Sequence, residues 1–202
     1  MTSLRILSSL LLLTGSVLAQ DSQSPPVANP ALRLELLRRL EQDQAFRNEL
    51  ISKGLDRLTD DDQARWLAID ADNTARMKAI IQQYEWPGPT LVGQDGSEAA
   101  FVLVQHADYA LQKEALPLVR NAYLAGVLKG QDFALLQDRV LVKEGKPQIY
   151  GTQFKIMGKE LVPDPIEDEP NVDRRRAEVG LPSLSEYLDF AKQMYFREKK
   201  PE

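Results

Sequence analysis

The chain has no cysteine among its 202 residues, a single histidine, and aromatic side chains at only 7% of positions. Without thiols, disulfides and thiolate nucleophiles are excluded, and stability rests on a packed core. A chain of this length can bury enough apolar surface for that. One histidine excludes multi-histidine metal sites, so any bound metal would be a hard cation held by carboxylates. No apolar run reaches the ~20 residues of a membrane-spanning helix. No glycine motif that cradles phosphate is present, and no cofactor is expected. The serines beyond the N-terminal segment are Ser22, Ser24, Ser52, Ser97, Ser183 and Ser185, and none sits in a nucleophile-elbow pattern.

Positive charge is in short supply. Lys and Arg number 25 against 30 Asp and Glu, for a net charge of −5, which disfavours general binding to nucleic acid or anionic membrane. The one basic cluster, Arg174-Arg175-Arg176, lies beside Glu167, Asp168, Glu169 and Asp173 and reads as half of a mutually neutralising pair. Glu167-Asp168-Glu169 lacks the glycine turn and ligand spacing of a calcium loop.

What is present begins with an export signal. Arg5 supplies a short positive region, Ile6 to Leu13 is mostly apolar, and Val17-Leu18-Ala19 offers the small residues a signal peptidase reads. Cleavage before Gln20 predicts an exported protein, periplasmic or extracellular, with no integral membrane segment afterwards. Left uncleaved, the same stretch would be an anchor. The expected organisation is a signal peptide at 1–19, a flexible lead at 20–29, an N-terminal helix at 30–58 and one α+β domain at 59–198.

Asn29-Pro30 offers a helix N-cap followed by proline at the first helical position. Leu32, Leu36, Leu37, Leu40, Phe46 and Leu50 suit an amphipathic helix that Gly54 ends. Thr59 with Asp62 caps a second helix running to about Tyr84. Trp86-Pro87-Gly88-Pro89 breaks the chain, Gly93 to Gly96 reads as a second loop, and Ser97 is expected to cap a buried helix ending near His106. Another helical stretch covers Tyr109 to about Leu128, with Pro117 inside it. Val140-Leu141-Val142 and Ile149 to Met157 are β-prone runs around Lys143-Glu144-Gly145-Lys146. They predict one β-hairpin at about 135–157, with Gly145 in the left-handed turn position. A three-residue loop puts Asp138 on one face with Gln148, Tyr150 and Thr152. A two-residue turn instead brings Arg139 beside Tyr150. A short helix near Val172 to Val179 and a last helix opened by Ser183 and Glu186 complete a single, mostly helical α+β domain.

Chemistry is expected around His106. It follows the apolar run Ala99 to Val104, so an imidazole, an amide (Gln105) and a carboxylate (Asp108) sit beside the core, where polar groups must find partners. A dyad of His106 with Asp108 needs the helix to end at Ala107, because a spacing of two on one helix points side chains about 200° apart. Otherwise His106 is satisfied by a backbone carbonyl and Asp108 is an N-cap. Gln105, Asp108 and Gln112 share a helical face. The second concentration of polar groups is Asp138-Arg139 with Gln148, Tyr150, Thr152 and Gln153, where Gly151 permits close approach of a backbone or ligand.

Trp86-Pro87, Gly93, Gln105-His106-Ala107-Asp108, Gln112, Asp138-Arg139-Val140, Gln148 to Gln153, Pro165 to Asp168 and Arg176 to Pro182 together resemble an uncharacterised bacterial family, a domain of unknown function. The resemblance covers roughly Ala64 to Tyr187, leaves the N-terminal helix outside, and carries no activity. It implies that His106, Asp108, Arg139, Tyr150 and Gln153 act together.

Three readings follow. A binding domain would grip a small polar or anionic ligand, or a peptide, between the 105–112 region and the hairpin. Arg139 would pair with an anionic group, Gln105, Gln112, Gln148, Tyr150 and Gln153 would orient the ligand, and Trp86 would be an apolar wall. A hydrolase or lyase would use His106 as general acid or base, oriented by Asp108. In a scaffold protein the same groups would form a satisfied internal network.

Overall fold

The structure is a computed structural model that describes residues 27–54, 57–158 and 160–196. The expected signal at 1–19 with its cleavage point, and positions 20–26 of the expected lead, lie outside these residues. Helix α1 spans Pro30–Lys53, with the Asn29 side chain accepting from the Leu32 N–H as the sequence predicts. Helix α2 spans Asp60–Tyr84 and opens on a reciprocal capping box of Thr59 and Asp62. Helix α3 (Pro89–His106) is buried continuously from Ala99 to His106. A helix that is apolar on all sides has no face to offer water and takes the centre of the molecule. Accordingly α3 packs against α1, α2 and α4 (Tyr109–Leu124). The expected loop at Gly93 survives only as a kink, with Gly93 at φ 76° inside α3. Ser97 does not cap this helix; its hydroxyl accepts from Trp86 Nε1 at 3.0 Å.

The fold is α+β and mostly helical with one hairpin, but the hairpin is not where the sequence predicts. Residues Gly130–Lys143 form helix α5, and the antiparallel pair is β1 (Phe154–Met157) with β2 (Glu160–Pro163), Phe154 opposite Pro163. Phe133, Leu136 and Val140 are the buried side of α5. Their spacings of three and four outweigh the short β-branched run Val140-Leu141-Val142. Gly145 is left-handed as expected (φ 72°), but it ends a helix rather than turning a hairpin. Its N–H reaches the Val142 carbonyl and the Lys146 N–H the Leu141 carbonyl, the bond pair that satisfies the last helical carbonyls.

After α5 the chain wraps around the Asp138 side chain, which is 0% exposed. That carboxylate accepts from the backbone N–H groups of Ile149, Tyr150 and Thr152 and from the Thr152 hydroxyl, at 2.7–3.1 Å. The Gln148 amide donates to the carbonyls of Gln153 and Asp164 and accepts from the Gln153 N–H. At Gly151 (φ +68°) an added Cβ would lie 2.9 Å from the side chains of both Ile166 and Leu184. The expected close approach there is by two apolar side chains. A 3₁₀ turn (Glu169–Asn171), helix α6 (Val172–Glu178) and helix α7 (Leu184–Tyr195) follow. The arginine run is not primarily a neutralising surface pair. Arg175 donates to the carbonyls of Ile149, Glu167 and Asp168, and buried Arg176 donates to those of Tyr150 and Pro182. Phe154, Leu161 and Ala191 form a small second core under the hairpin, faced by Tyr187 and Tyr195.

Asp138→Ala strands one buried backbone N–H, that of Thr152, and two half-buried ones, those of Ile149 and Tyr150, each costing about 1–3 kcal/mol when unsatisfied. The variant should lose at least about 3 kcal/mol of unfolding free energy in denaturant titration, and hydrogen exchange at Ile149, Tyr150 and Thr152 should accelerate first. Loss below about 1 kcal/mol would contradict this assignment.

Candidate functional site

The two residues Ala107 and Asp108 separate α3 from α4, so the end of one helix lies against the start of the next. Asp108 caps α4 by accepting the Leu111 N–H at 2.8 Å. The last carbonyls of a helix lack intrahelical partners, and at this buried end they need internal donors. The Gln105 carbonyl receives two, Arg139 Nη1 and Gln112 Nε2, each at 2.9 Å. A cation at a helix C-terminus also meets the negative end of the helix dipole. Burial lowers the Arg139 guanidinium to about 10, which leaves it charged at neutral pH.

His106 is 3% exposed. Its Nδ1 lies 2.7 Å from Asp43 Oδ2. An ionised carboxylate only accepts, so Nδ1 carries the proton and Nε2 is an acceptor whenever the ring is neutral. Asp43 comes from the middle of α1 and is itself 1% exposed. Arg47, one turn on, donates to Asp43 at 3.1 Å and to Asp70 of α2 at 2.5 Å, with its guanidinium 5.2 Å from the Trp66 ring centre. A continuous line of polar contacts therefore runs from Asp70 through Arg47 and Asp43 to His106, crossing α2, α1 and α3. Burial presses the Asp43 carboxyl upward, but the bond from His106 and the charge of Arg47 outweigh it and hold the group below the usual range. Burial drives the His106 imidazole down to about 4, against the pull of Asp43. Burial also lifts the Asp70 carboxyl to about 6 despite Arg47.

A cleft of about 450 Å³ lies between α2 and the α3–α4 joint. Leu67, Asp70, Ala71, Thr74 and Ala75 form its α2 wall. His106, Asp108, Tyr109 and Gln112 line the other side, with Lys143 at the edge. Thr74 Oγ1 ties the walls together by accepting the Asp108 N–H at 3.2 Å. Two buried atoms of these lining residues, His106 Nε2 and Gln112 Oε1, have no hydrogen-bond partner among the described residues. Among the described residues no group of three or more His, Asp or Glu side chains is placed to hold a metal ion.

The expected site residues divide into two groups. His106, Gln105, Gln112 and Arg139 come together at the helix joint, with Asp108 on the cleft wall. The carboxylate bonded to the histidine is Asp43, not Asp108, because Asp108 is committed to capping α4. Trp86, Gln148, Tyr150 and Gln153 are not among the cleft residues. Trp86 is held at Ser97, nine residues before His106, or about 13 Å along the helix. Gln148 and Gln153 are bonded within the loop around Asp138. Tyr150 packs edge-on against Phe133 at 6.5 Å. Sequence reasoning passed over Asp43, Arg47 and Asp70. The signal for Asp43 lay in its position, since a carboxylate stands there on the buried side of α1 with Leu32, Leu36, Phe46 and Leu50.

The chain matches the model of a family described as Family of unknown function (DUF6624) over residues 30–200, and it belongs to that family. The match begins at Pro30, so the N-terminal helix that carries Asp43 and Arg47 lies inside the family and not outside it. Comparisons with curated proteins and with solved structures find no match.

Acidification acts on this line with two signs. His106 is harder to protonate folded (about 4) than unfolded (6.5), so stability falls as pH drops through that window. Asp70 is easier to protonate folded (about 6) than unfolded (3.8), so it favours the fold as pH drops from about 6 to 4. Asp70→Asn removes only the second effect. Its melting temperature should fall more steeply than the wild type's between pH 6 and pH 4; parallel curves would contradict the assignment.

Proposed function

We propose that this member of a family without an assigned activity is an exported protein, trimmed before Gln20, that binds a small polar ligand in the cleft between α2 and the α3–α4 joint. Neutral His106 is the group that meets the ligand, and Asp43 is the group that holds it in place. The observation that carries this reading is the unequal treatment of the two ring nitrogens. Nδ1 is fixed by a buried carboxylate, while buried Nε2, in a residue lining the cleft, has no partner among the described residues. A buried acceptor left unsatisfied costs about 1–3 kcal/mol, and a ligand donor at that nitrogen would recover it. Asp108 and Gln112 share the cleft and orient what enters. Arg139 supports the floor from behind by holding the Gln105 carbonyl.

A second reading is favoured by the same dyad together with Asp70. A carboxylate that fixes a histidine tautomer and leaves Nε2 available is the arrangement a general base needs. A neighbouring carboxyl lifted to about 6 supplies a proton donor near neutral pH. A hydrolase or lyase would use these two groups on a substrate in the cleft.

His106→Asn tests the binding reading while sparing the fold, because its amide N–H can replace Nδ1–H toward Asp43 but offers nothing in place of Nε2. A thermal-shift screen of small metabolites and peptidoglycan fragments on the wild type identifies stabilising compounds. The variant should unfold within about 1.5 kcal/mol of wild type and lose those shifts. His106→Ala, which leaves buried Asp43 without its histidine, should cost about 3 kcal/mol or more. Undiminished ligand shifts in His106→Asn would overturn the reading and leave the polar line as scaffolding.

A further inference from the structure

Resting on that reading, we infer that the ligand presents a positively charged hydrogen-bond donor, an alkyl amine or guanidine, rather than an acid. The polarity of the cleft floor is fixed by what lies behind it. Gln112 Nε2 donates to the Gln105 carbonyl, and a carbonyl cannot donate, so the amide cannot be flipped and Oε1 is the free end. His106 Nδ1–H is committed to Asp43, so Nε2 is the free end of the ring. Both residues are at least 97% buried, at 3% and 1% exposed, and both line the cleft. The free ends of both residues are therefore desolvated acceptors, and neither is a donor.

The walls repeat that polarity. Asp70 binds Arg47 through Oδ1 and also accepts from the Trp66 side chain, while Asp108 caps α4 through Oδ1 and keeps a second oxygen. The Tyr109 hydroxyl donates to Glu144 and its oxygen is taken up by Lys113. Against these stand Lys143, exposed at the edge, the Thr74 hydroxyl, whose O–H can donate while its oxygen accepts from the Asp108 N–H, and the charges of Arg47 and Arg139, which act on His106 from behind the floor. The nearby buried cation Arg139 delivers Nη1 to the Gln105 carbonyl and is not among the cleft residues, so the arginine expected to pair with an anion is turned to the helix end. An acid in this cleft would face lone pairs and carboxylates. An ammonium or guanidinium would satisfy both floor acceptors and gain charge-assisted bonds to Asp70 and Asp108. Leu67, 70% exposed, with Ala71 and Ala75 gives an apolar strip on which a short alkyl chain can lie.

Isothermal titration calorimetry on the chain beginning at Gln20, at neutral pH and constant ionic strength, tests this with agmatine and cadaverine as cations and glutarate as an anion of similar length. At least one cation should bind, glutarate should not, and both His106→Asn and Asp70→Asn should weaken the cation tenfold or more. Binding of glutarate in preference to both cations, abolished in His106→Asn, would overturn the inference and leave the cleft reading standing. Cation binding that is unchanged in both variants would overturn the inference and place the cation elsewhere. Absence of heat from both cations at millimolar concentration would also overturn it, whatever the metabolite screen finds.

Discussion

Asp43 is a carboxylate without surface, in the middle of a helix whose neighbouring inward positions are leucine and phenylalanine. A buried charge of this kind persists only when paired and hydrogen-bonded, and the pairing determines the neighbourhood. Arg47 answers it from one turn away and extends the link to Asp70 on α2. His106 answers it from α3, and in doing so gives up the freedom of its ring. The tautomer is set, the plane of the imidazole is set, and the far nitrogen is left as an acceptor. The acceptor character of the cleft follows from that bond together with the commitment of the Gln112 amide to the Gln105 carbonyl.

The need for internal partners arises because the second half of α3, Ala99 to Val104, is apolar all round and must be central. Its final carbonyls emerge in the core instead of in water, and α4 and α5 are recruited to satisfy them. Arg139 reaches the Gln105 carbonyl from α5 while its neighbour Asp138, on the same helix, gathers the loop of residues 147–153. The two adjacent residues thus face different tasks. Asp138 pins the loop, Arg176 and Arg175 secure its outward carbonyls, and α5 is held so that Arg139 stays at the helix end. The polar cluster around Gln148 and Gln153 supports the cleft at one remove, through α5.

Much of the helical frame was legible because its signals are local. Asn29-Pro30, Thr59 with Asp62, Ser183 with Glu186 and the break at Trp86 to Pro89 each state a boundary within four residues. The hairpin was misplaced because Val140-Leu141-Val142 and a left-handed glycine suit a strand turn and a helix end equally. The spacing of Phe133, Leu136 and Val140 decided between them. Asp138 still meets Tyr150 and Thr152, the residues a three-residue hairpin loop would have set beside it, but through its carboxylate and not through strand pairing. At the site, His106, Gln105 and Gln112 were visible because a polar run abutting an apolar one is itself a signal. Asp43 is sixty-three positions from His106, and no local spacing links them. Its clue is an acid on the buried face of an amphipathic helix, between Leu40 and Phe46.

Because the chain has one histidine, ¹⁵N NMR of the imidazole reports on a single ring and measures the central interaction directly. A long-range ¹H–¹⁵N correlation spectrum of the free protein at neutral pH should show Nδ1 at the shift of a protonated nitrogen and Nε2 at that of an unprotonated one. That pattern should persist on acidification to pH 5, well below the point at which an ordinary histidine has charged. A ring protonated at Nε2 and bare at Nδ1, or one that titrates near 6.5, would contradict the account, since Asp43 would then not be setting the polarity of the cleft.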